Sequence, residues 1–416
     1  MTKWGKRFFR AACICFCTVL LFSATLWGFS PNVQAAQSPL VGSIPPEGGV
    51  IEVGTSASLS QISPPTAISA RGAVLMEASS GTVIYQRNQD LRLPMASTTK
   101  IMTALVAIER LPLDALITVT EQSVGVEGSS IYLVAGEVLT LEDLLYALML
   151  ESANDAAETI AIAVAGSVSA FADLMNQKAA SLGLSNTHFV NPHGLDAEDH
   201  YTTAAELATL TASALENPDF RRICATKRHV IPLLGTEGAR VLVNHNKLLS
   251  SYDGCIGVKT GYTKKTGRCL VSAAERDGVR LVAVTLGAPD DWRDHTAMLD
   301  YGFSLYENQI LCEPAFYHAP MPIFSGDCDF VMVENTDPLA VILPRDHGNI
   351  LCVVERRRFD FAPVTVGQIV GRLCFYEVSD SGERRFLGEV PLRATHDVSA
   401  ITYKRTIWSR IRDFFD

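Results

Sequence analysis

One short motif holds two residue types that could together carry out acyl transfer. Ser97 and Lys100 are three positions apart in Ser97-Thr98-Thr99-Lys100, at the start of a predicted helix, so both lie on one helix face. A serine hydroxyl needs a neighbouring base, and a lysine amine can be that base once burial or another cation lowers its pKa. The spacing therefore predicts a nucleophile and its base. A helix-capping serine beside a solvated lysine is the structural alternative.

A second motif, Ser152-Ala153-Asn154, lies in a predicted break between two helices. The first of these helices ends near Leu150 and the second begins near Asp155. Taken alone, the motif also fits an ordinary helix N-cap, a position that serine and asparagine favour.

A third motif, Lys259-Thr260-Gly261, ends a predicted strand. Lysine supplies a positive charge, threonine supplies a hydroxyl, and glycine lets a ligand approach the backbone closely. A second copy at residues 265–267 falls in a polar turn, so we take the first copy as the functional one. The alternative is a plain strand end that leads into a turn.

The order and spacing of these motifs match the signature of penicillin-binding proteins and serine β-lactamases. The flanking sequences resemble the low-molecular-weight D-alanyl-D-alanine carboxypeptidases among them. The similar segments are residues 93–103, 191–195, 200–204 and 253–263. The resemblance is strong over roughly residues 66–310 and looser beyond them.

The resemblance implies a mechanism. Ser97 would attack the carbonyl between the last two D-alanines of a peptidoglycan stem peptide, and Lys100 would accept its proton. Ser152 would relay a proton to the leaving amine, and Asn154 would orient Lys100. Backbone N–H groups of Ser97 and Tyr262 would hold the oxyanion. β-Lactam antibiotics would acylate the same serine, and no metal or cofactor is implied.

The resemblance also implies a site for the terminal carboxylate of the substrate. Lys259 and Thr260 would bind this carboxylate. Family members often carry an arginine about 35 residues after the third-motif lysine, and Arg293 is the nearest candidate, one position out of register. The predicted substrate-binding residues are Lys259, Thr260, Gly261, Tyr262 and Arg293.

The periodicity of apolar residues predicts the elements that position these motifs. Helices are expected at about 96–110, 140–150, 156–165, 170–182, 203–216 and 297–306, and a hairpin is expected at 72–86. Closely spaced strands follow between residues 229 and 286. This order predicts an α/β (α+β) fold of the serine β-lactamase or transpeptidase type, with helices on a mainly antiparallel sheet, over residues 66–310. Short strands predict a small all-β domain at 311–396.

The two ends of the chain suggest export and membrane contact. Residues 1–35 combine a basic start, an uncharged run from Ala11 to Phe29 and small residues at 33–35, as in a secretory signal peptide. An uncleaved signal anchor is the alternative. Residues 36–65 are predicted to be a linker. Residues 397–416 read as a basic amphipathic helix on a membrane surface, or else as a helix packed on its own domain.

Charge and cysteine content narrow the function further. The net charge of −10 argues against a nucleic-acid-binding protein. Seven cysteines follow the predicted signal peptide, with no CxxC pair and no metal-ligand spacing. Because most of them lie in apolar runs, we expect buried thiols rather than a disulfide framework. The enzyme is predicted to work outside the cell, at the outer face of the cytoplasmic membrane or in the cell-wall space.

Two other functions remain open on the sequence alone. A class A β-lactamase usually carries a Glu-x-x-Leu-Asn segment for deacylation, and none lies between the second and third motifs. A catalytically silent cell-wall-binding homologue would not need all three motifs intact. Serine-type D-alanyl-D-alanine carboxypeptidase activity is therefore the favoured prediction.

Overall fold

The computed structural model describes residues 49–54, 63–233, 238–379 and 381–402. The predicted signal peptide, most of the predicted linker and residues 403–416 of the predicted C-terminal helix lie outside these ranges. In the described part, the α-helices are α1 (Lys100–Arg110), α2 (Leu141–Leu150), α3 (Asn154–Ala165), α4 (Val168–Ser181), α5 (Ala204–Leu215), α6 (Pro218–Ala225), α7 (Leu248–Ser251) and α8 (Asp291–Leu305). Short 3-10 helices occupy Ala96–Thr99 and Glu121–Ser123.

Strands fill the rest of the regular structure. The first ten described strands are β1 (Val50–Gly54), β2 (Gly72–Glu77), β3 (Val83–Arg87), β4 (Leu116–Thr118), β5 (Val138–Thr140), β6 (Arg228–Pro232), β7 (Ala239–Val243), β8 (Cys255–Thr263), β9 (Gly267–Arg276) and β10 (Val279–Leu286). The later described strands are β11 (Tyr306–Cys312), β12 (His318–Phe324), β13 (Phe330–Asn335), β14 (Leu339–Pro344), β15 (Asn349–Arg356), β16 (Asp360–Phe361), β17 (Ile369–Val378) and β18 (Arg384–Ala394).

A five-stranded antiparallel sheet organises the first part of the described chain. Its strand order is β3-β2-β10-β9-β8. Side chains alternate between its two faces: Val74 and Val282 join the core beneath α1, α2 and α3, whereas Leu75 and Leu281 pack with Met298 of α8. The sheet is therefore covered by helices on both sides, and the prediction of helices on an antiparallel sheet is confirmed.

Local signals place the helices as the sequence predicts. Ile101 and Leu105 of α1 are buried in the main core. Thr140 caps α2, since its hydroxyl oxygen accepts the Asp143 N–H at 3.1 Å and donates to the Asp143 carboxylate at 2.9 Å. These helices hold the first two motifs against the sheet edge that carries the third.

A second, separate apolar core lies in the all-β part. Its seven-stranded sheet has the order β1-β15-β17-β18-β13-β12-β16, and its buried side chains include Val331, Leu373 and Phe375. The sheet includes a correction to the predicted linker. Residues 50–54 form β1, which pairs antiparallel with β15 from Val50 opposite Val353. The valine and isoleucine residues of this segment favour a strand, which adds to the edge of the sheet formed by β15.

The cysteines of the described residues carry free thiols. Cys328 is exposed and Cys255 is partly buried. The others are buried, namely Cys224, Cys269, Cys312, Cys352 and Cys374. The prediction of mostly buried, unpaired thiols is confirmed for this part of the chain.

Within the described ranges, no single helix is both long and apolar enough to cross a bilayer. The helices α3 and α4 meet that test only when taken together, and they are bent by 82° relative to each other.

Candidate active site

A strained turn presents Ser97 at the start of α1. The turn is the 3-10 helix Ala96–Thr99, and Ala96 has a φ of +47°, in the left-handed region that non-glycine residues rarely adopt. Gly194 packs against this turn with a φ of +87°, and a Cβ there would lie 2.0 Å from the Ala96 carbonyl oxygen. Only glycine fits at this position, so the loop around Gly194 holds the turn in place.

Lys100 is buried directly behind Ser97. Its Nζ lies 3.0 Å from Ser97 Oγ, 2.7 Å from Asn154 Oδ1 and 2.7 Å from the His193 carbonyl oxygen. Burial lowers the pKa of Lys100 well below its ordinary value, and the positive charge of Lys259 lowers it further. A neutral amine at hydrogen-bond distance from a serine hydroxyl is equipped to take its proton.

The second motif approaches the pair from the break before α3. Asn154 begins that helix, and its amide donates from Nδ2 to the Glu127 carbonyl at 2.6 Å, which leaves Oδ1 for Lys100. Ser152 is buried with a φ of +61°, another left-handed residue, and it lines the same cleft as Ser97. Strained backbone of this kind often occurs at functional sites.

The third motif lies on β8, which borders the cleft. Lys259 is fully buried, and burial lowers its pKa to about 7. At Gly261 a Cβ would come within 3.1 Å of the Ser97 backbone nitrogen, so glycine allows this strand to pass close to the serine turn. Thr260, Gly261 and the exposed Tyr262 line the cleft. The second Lys-Thr-Gly copy closes the β8–β9 turn, where the Thr266 hydroxyl accepts the Thr263 N–H at 3.0 Å.

The cleft has a volume of about 530 Å³. Ser97 and Ser152 face it from one side and β8 borders it on the other, while Lys100, Asn154 and Lys259 are buried in its wall. The lining residues are Ser97, Ser129, Ser152, His245, Lys247, Thr260, Gly261, Tyr262, Arg268, Asp291 and Trp292. The three predicted motifs therefore meet at one site.

Arg293 is the exception among the predicted site residues. Its side chain is exposed, pairs with Asp290 at 3.1 Å and does not line the cleft. The cleft instead contains Arg268, which the sequence reasoning missed. Arg268 lies on β9 directly opposite Tyr262. Pairing the residues of the β8–β9 hairpin outward from its turn would have placed Arg268 beside the third motif.

Arg268 is held in place by two neighbours. Its Nε donates to Asp291 Oδ1 at 3.0 Å and its Nη2 lies 2.8 Å from the same oxygen. The guanidinium also lies over the Trp292 ring, 5.7 Å from the ring centroid. Asp291 is buried, whereas the Arg268 side chain is partly exposed. Part of the guanidinium is therefore accessible from the cleft.

Two buried histidines support the site without lining the cleft. Burial lowers the pKa of His200 to about 4, so this ring is neutral at pH 7. The Val190 N–H donates to its Nδ1, so Nε2 carries the proton and donates to Thr99 Oγ1 at 2.7 Å. Burial likewise lowers the pKa of His193 to about 3. The bond from His200 fixes the serine turn, and the His193 ring accepts the Leu195 N–H at 3.2 Å in the loop whose His193 carbonyl accepts from Lys100.

A comparison with protein families now identifies the fold and its chemistry. The D-alanyl-D-alanine carboxypeptidase family, peptidase S11, matches residues 58–290, which is more than half of the chain. The chain belongs to this family. The carboxypeptidase is 32% identical over 359 residues to the D-alanyl-D-alanine carboxypeptidase DacF of Bacillus subtilis, an alignment that spans 82% of this chain and 91% of that relative.

Solved structures agree with the family match. The D-alanyl-D-alanine carboxypeptidase DacD from Francisella tularensis aligns with a TM-score of 0.59 and 28% identity, covering 83% of this chain and 98% of that one. The Streptomyces K15 DD-transpeptidase aligns with a TM-score of 0.56 and 36% identity, covering 59% of this chain and 100% of that one.

The carboxypeptidase is a serine peptidase that acts on D-alanyl-D-alanine. The favoured prediction from the sequence is thereby confirmed over both alternatives, the β-lactamase and the silent wall-binding homologue.

Proposed function

We propose that the carboxypeptidase removes the terminal D-alanine of peptidoglycan stem peptides through an acyl-enzyme on Ser97. The Ser97 oxygen attacks the carbonyl of the penultimate D-alanine while Lys100 takes the hydroxyl proton. That proton is passed to the leaving nitrogen as the tetrahedral intermediate collapses, which expels D-alanine with a neutral amine and leaves an ester on Ser97. Water then hydrolyses the ester and frees the shortened peptide. The observation that carries this proposal is the buried Lys100 amine 3.0 Å from Ser97 Oγ.

The developing oxyanion needs donors that are already in place. We assign this role to the backbone N–H groups of Ser97 and Tyr262, because β8 passes so close to the serine turn that a Cβ on Gly261 would lie 3.1 Å from the Ser97 nitrogen. Ser152 carries the proton from Lys100 to the leaving amine, since its side chain faces the same cleft. Asn154 orients the lysine through their 2.7 Å hydrogen bond.

The terminal carboxylate of the substrate needs positive charge on the β8 side of the cleft. We assign its binding to Lys259, Thr260 and Arg268, with Arg268 in the role that the sequence suggested for Arg293. The Arg268 guanidinium can pair with a planar carboxylate through two hydrogen bonds, and its hydrogen bond to Asp291 fixes its position.

The Arg268→Ala variant is expected to raise KM for a D-alanyl-D-alanine peptide by about tenfold or more, with a smaller change in kcat. Its physical reason is the loss of a charged partner for the substrate carboxylate. Steady-state release of D-alanine measures both constants. Arg293→Ala is the matched control and should stay within about twofold of the parent. An equal effect of the two substitutions would contradict the assignment.

A stable acyl-enzyme should also form with β-lactams, whose ring carbonyl Ser97 would attack in the same way. We expect fluorescent penicillin to label the enzyme and to remain bound after free label is removed. Gel fluorescence over time measures this directly, with heat-denatured enzyme as the control. Rapid loss of label together with bulk hydrolysis of the penicillin would instead favour a β-lactamase.

We further propose that the carboxypeptidase is exported and works at the outer face of the cytoplasmic membrane. Residues 1–35 act as the signal, residues 66–310 form the catalytic domain, residues 311–396 form the β-domain, and residues 397–416 attach the enzyme to the membrane. The basic start of the chain and the basic amphipathic pattern at its end support this arrangement.

A further inference from the structure

Three phenylalanines form an exposed aromatic patch on the β-rich part of the chain. Phe324, Phe359 and Phe361 are 53%, 47% and 60% exposed. Their ring centroids lie 5.2 Å apart for Phe324 and Phe359, 5.9 Å for Phe324 and Phe361, and 5.7 Å for Phe359 and Phe361. Contiguous exposed apolar groups of this kind mark a contact surface.

Backbone pairing fixes the patch. The strands β12 and β16 run parallel with Phe324 beside Phe361, and the Ala362 N–H donates to the Phe324 carbonyl at 3.0 Å. Phe359 directly precedes β16. The three rings therefore lie together on a defined sheet edge, so they lose little conformational entropy when they bind a partner.

The described chain ends next to this patch. The Ile401 N–H donates to the carbonyl of Ser325, the neighbour of Phe324, at 2.9 Å, and Gly326 pairs with Ala400. Residues 403–416 follow Thr402 directly in the sequence. This segment carries four basic residues and four aromatic ones, namely Lys404, Arg405, Arg410, Arg412, Tyr403, Trp408, Phe414 and Phe415.

We propose that the aromatic patch (Phe324, Phe359 and Phe361) is a second membrane-contacting surface, which inserts into the bilayer interface beside the C-terminal segment. The inference rests on the membrane attachment proposed above. Aromatic rings suit the headgroup region, and two contacts hold a protein on a membrane better than one.

The charges around the patch indicate that the two proposed membrane contacts bind by different interactions. Arg357 is paired with Asp360, and the exposed charges close by in the sequence are Arg358, Asp327 and Asp329, so the patch has no net positive charge. Its binding must therefore be mainly apolar and insensitive to salt. The basic residues of segment 403–416 supply the electrostatic attraction to anionic lipid, which salt screens.

The test measures partition of the chain without its proposed signal, residues 36–416, onto vesicles of phosphatidylcholine and phosphatidylglycerol at low and high salt. Phe324→Ser/Phe359→Ser/Phe361→Ser should weaken binding by about tenfold or more, by the same factor at both salt concentrations. Phe361→Ser alone should give a smaller loss in the same direction. Phe386→Ser is the matched control, because this ring is equally exposed but packs with Tyr376 outside the patch. Retained labelling by penicillin checks that each variant is folded.

A chain that ends at Thr402 separates this inference from the proposed C-terminal attachment. Loss of its salt-dependent binding supports the attachment, and residual binding that the triple substitution removes supports the patch. Unchanged binding of the folded triple variant would overturn the inference. So would a concentration-dependent dimer that the triple substitution dissociates, because a second copy would then be the occupant.

Discussion

Ser97→Ala should lower kcat for release of D-alanine from a pentapeptide by at least about 10⁴-fold, to near the detection limit. The hydroxyl oxygen is the atom that forms the ester, and no other group lies 3.0 Å from Lys100 Nζ in a position to replace it as nucleophile within the described residues. Ser152 faces the same cleft, but the Lys100 amine makes its described contacts with Ser97, Asn154 and the His193 carbonyl.

The variant should remain folded, because alanine occupies less space and the turn Ala96–Thr99 is fixed by backbone contacts. Its thermal midpoint is expected to match the parent within a few degrees. Ser250→Ala, an exposed serine outside the cleft, is the matched control and should retain full activity. Substantial D-alanine release by folded Ser97→Ala would mean that another group attacks the substrate.

Lys100→Met should slow acylation of Ser97 by about 10²- to 10⁴-fold, the usual contribution of a positioned general base. Methionine keeps the length and apolar character that the buried site requires but cannot accept a proton. Stopped-flow acylation by a chromogenic β-lactam measures the rate. Lys178→Met, on a surface lysine paired with Glu109, is the control and should acylate normally.

The pH dependence identifies the lysine more directly. A base must be neutral, so acylation should fall as the pH drops through the lowered pKa of Lys100. The cation of Lys259 helps to lower that pKa. Removing it in Lys259→Met should raise the pKa of Lys100, so the acid limb of the pH profile should move to higher pH. An acid limb that stays in place would show that another group is titrating.

The chemistry of this site is largely local in the sequence, which is why it can be predicted. Ser97 and Lys100 are one helical turn apart, and the hairpin and helix caps are also set by near neighbours. What links the motifs is not local. The close approach of Gly194 to Ala96 and the bond from Lys100 to Asn154 depend on how distant segments pack.

Three features escaped prediction for identifiable reasons. Arg268 reaches the cleft through the register of the β8–β9 hairpin, whereas Arg293 was only the arginine nearest to an expected linear spacing. The strand β1 is too short to be recognised alone, and its partner β15 lies far along the chain. The helix α6 is brief, although Asn217 at its N-cap and Pro218 at its first position are the usual start signals.

Mapping the penicillin adduct by mass spectrometry tests the central claim most directly. The intact enzyme should gain the mass of one penicillin molecule, and digestion should place it on the peptide that contains Ser97. The folded Ser97→Ala variant should gain no mass under the same conditions. An adduct on Ser152 or on any other residue, or an adduct that persists in Ser97→Ala, would contradict the assignment of Ser97 as the nucleophile.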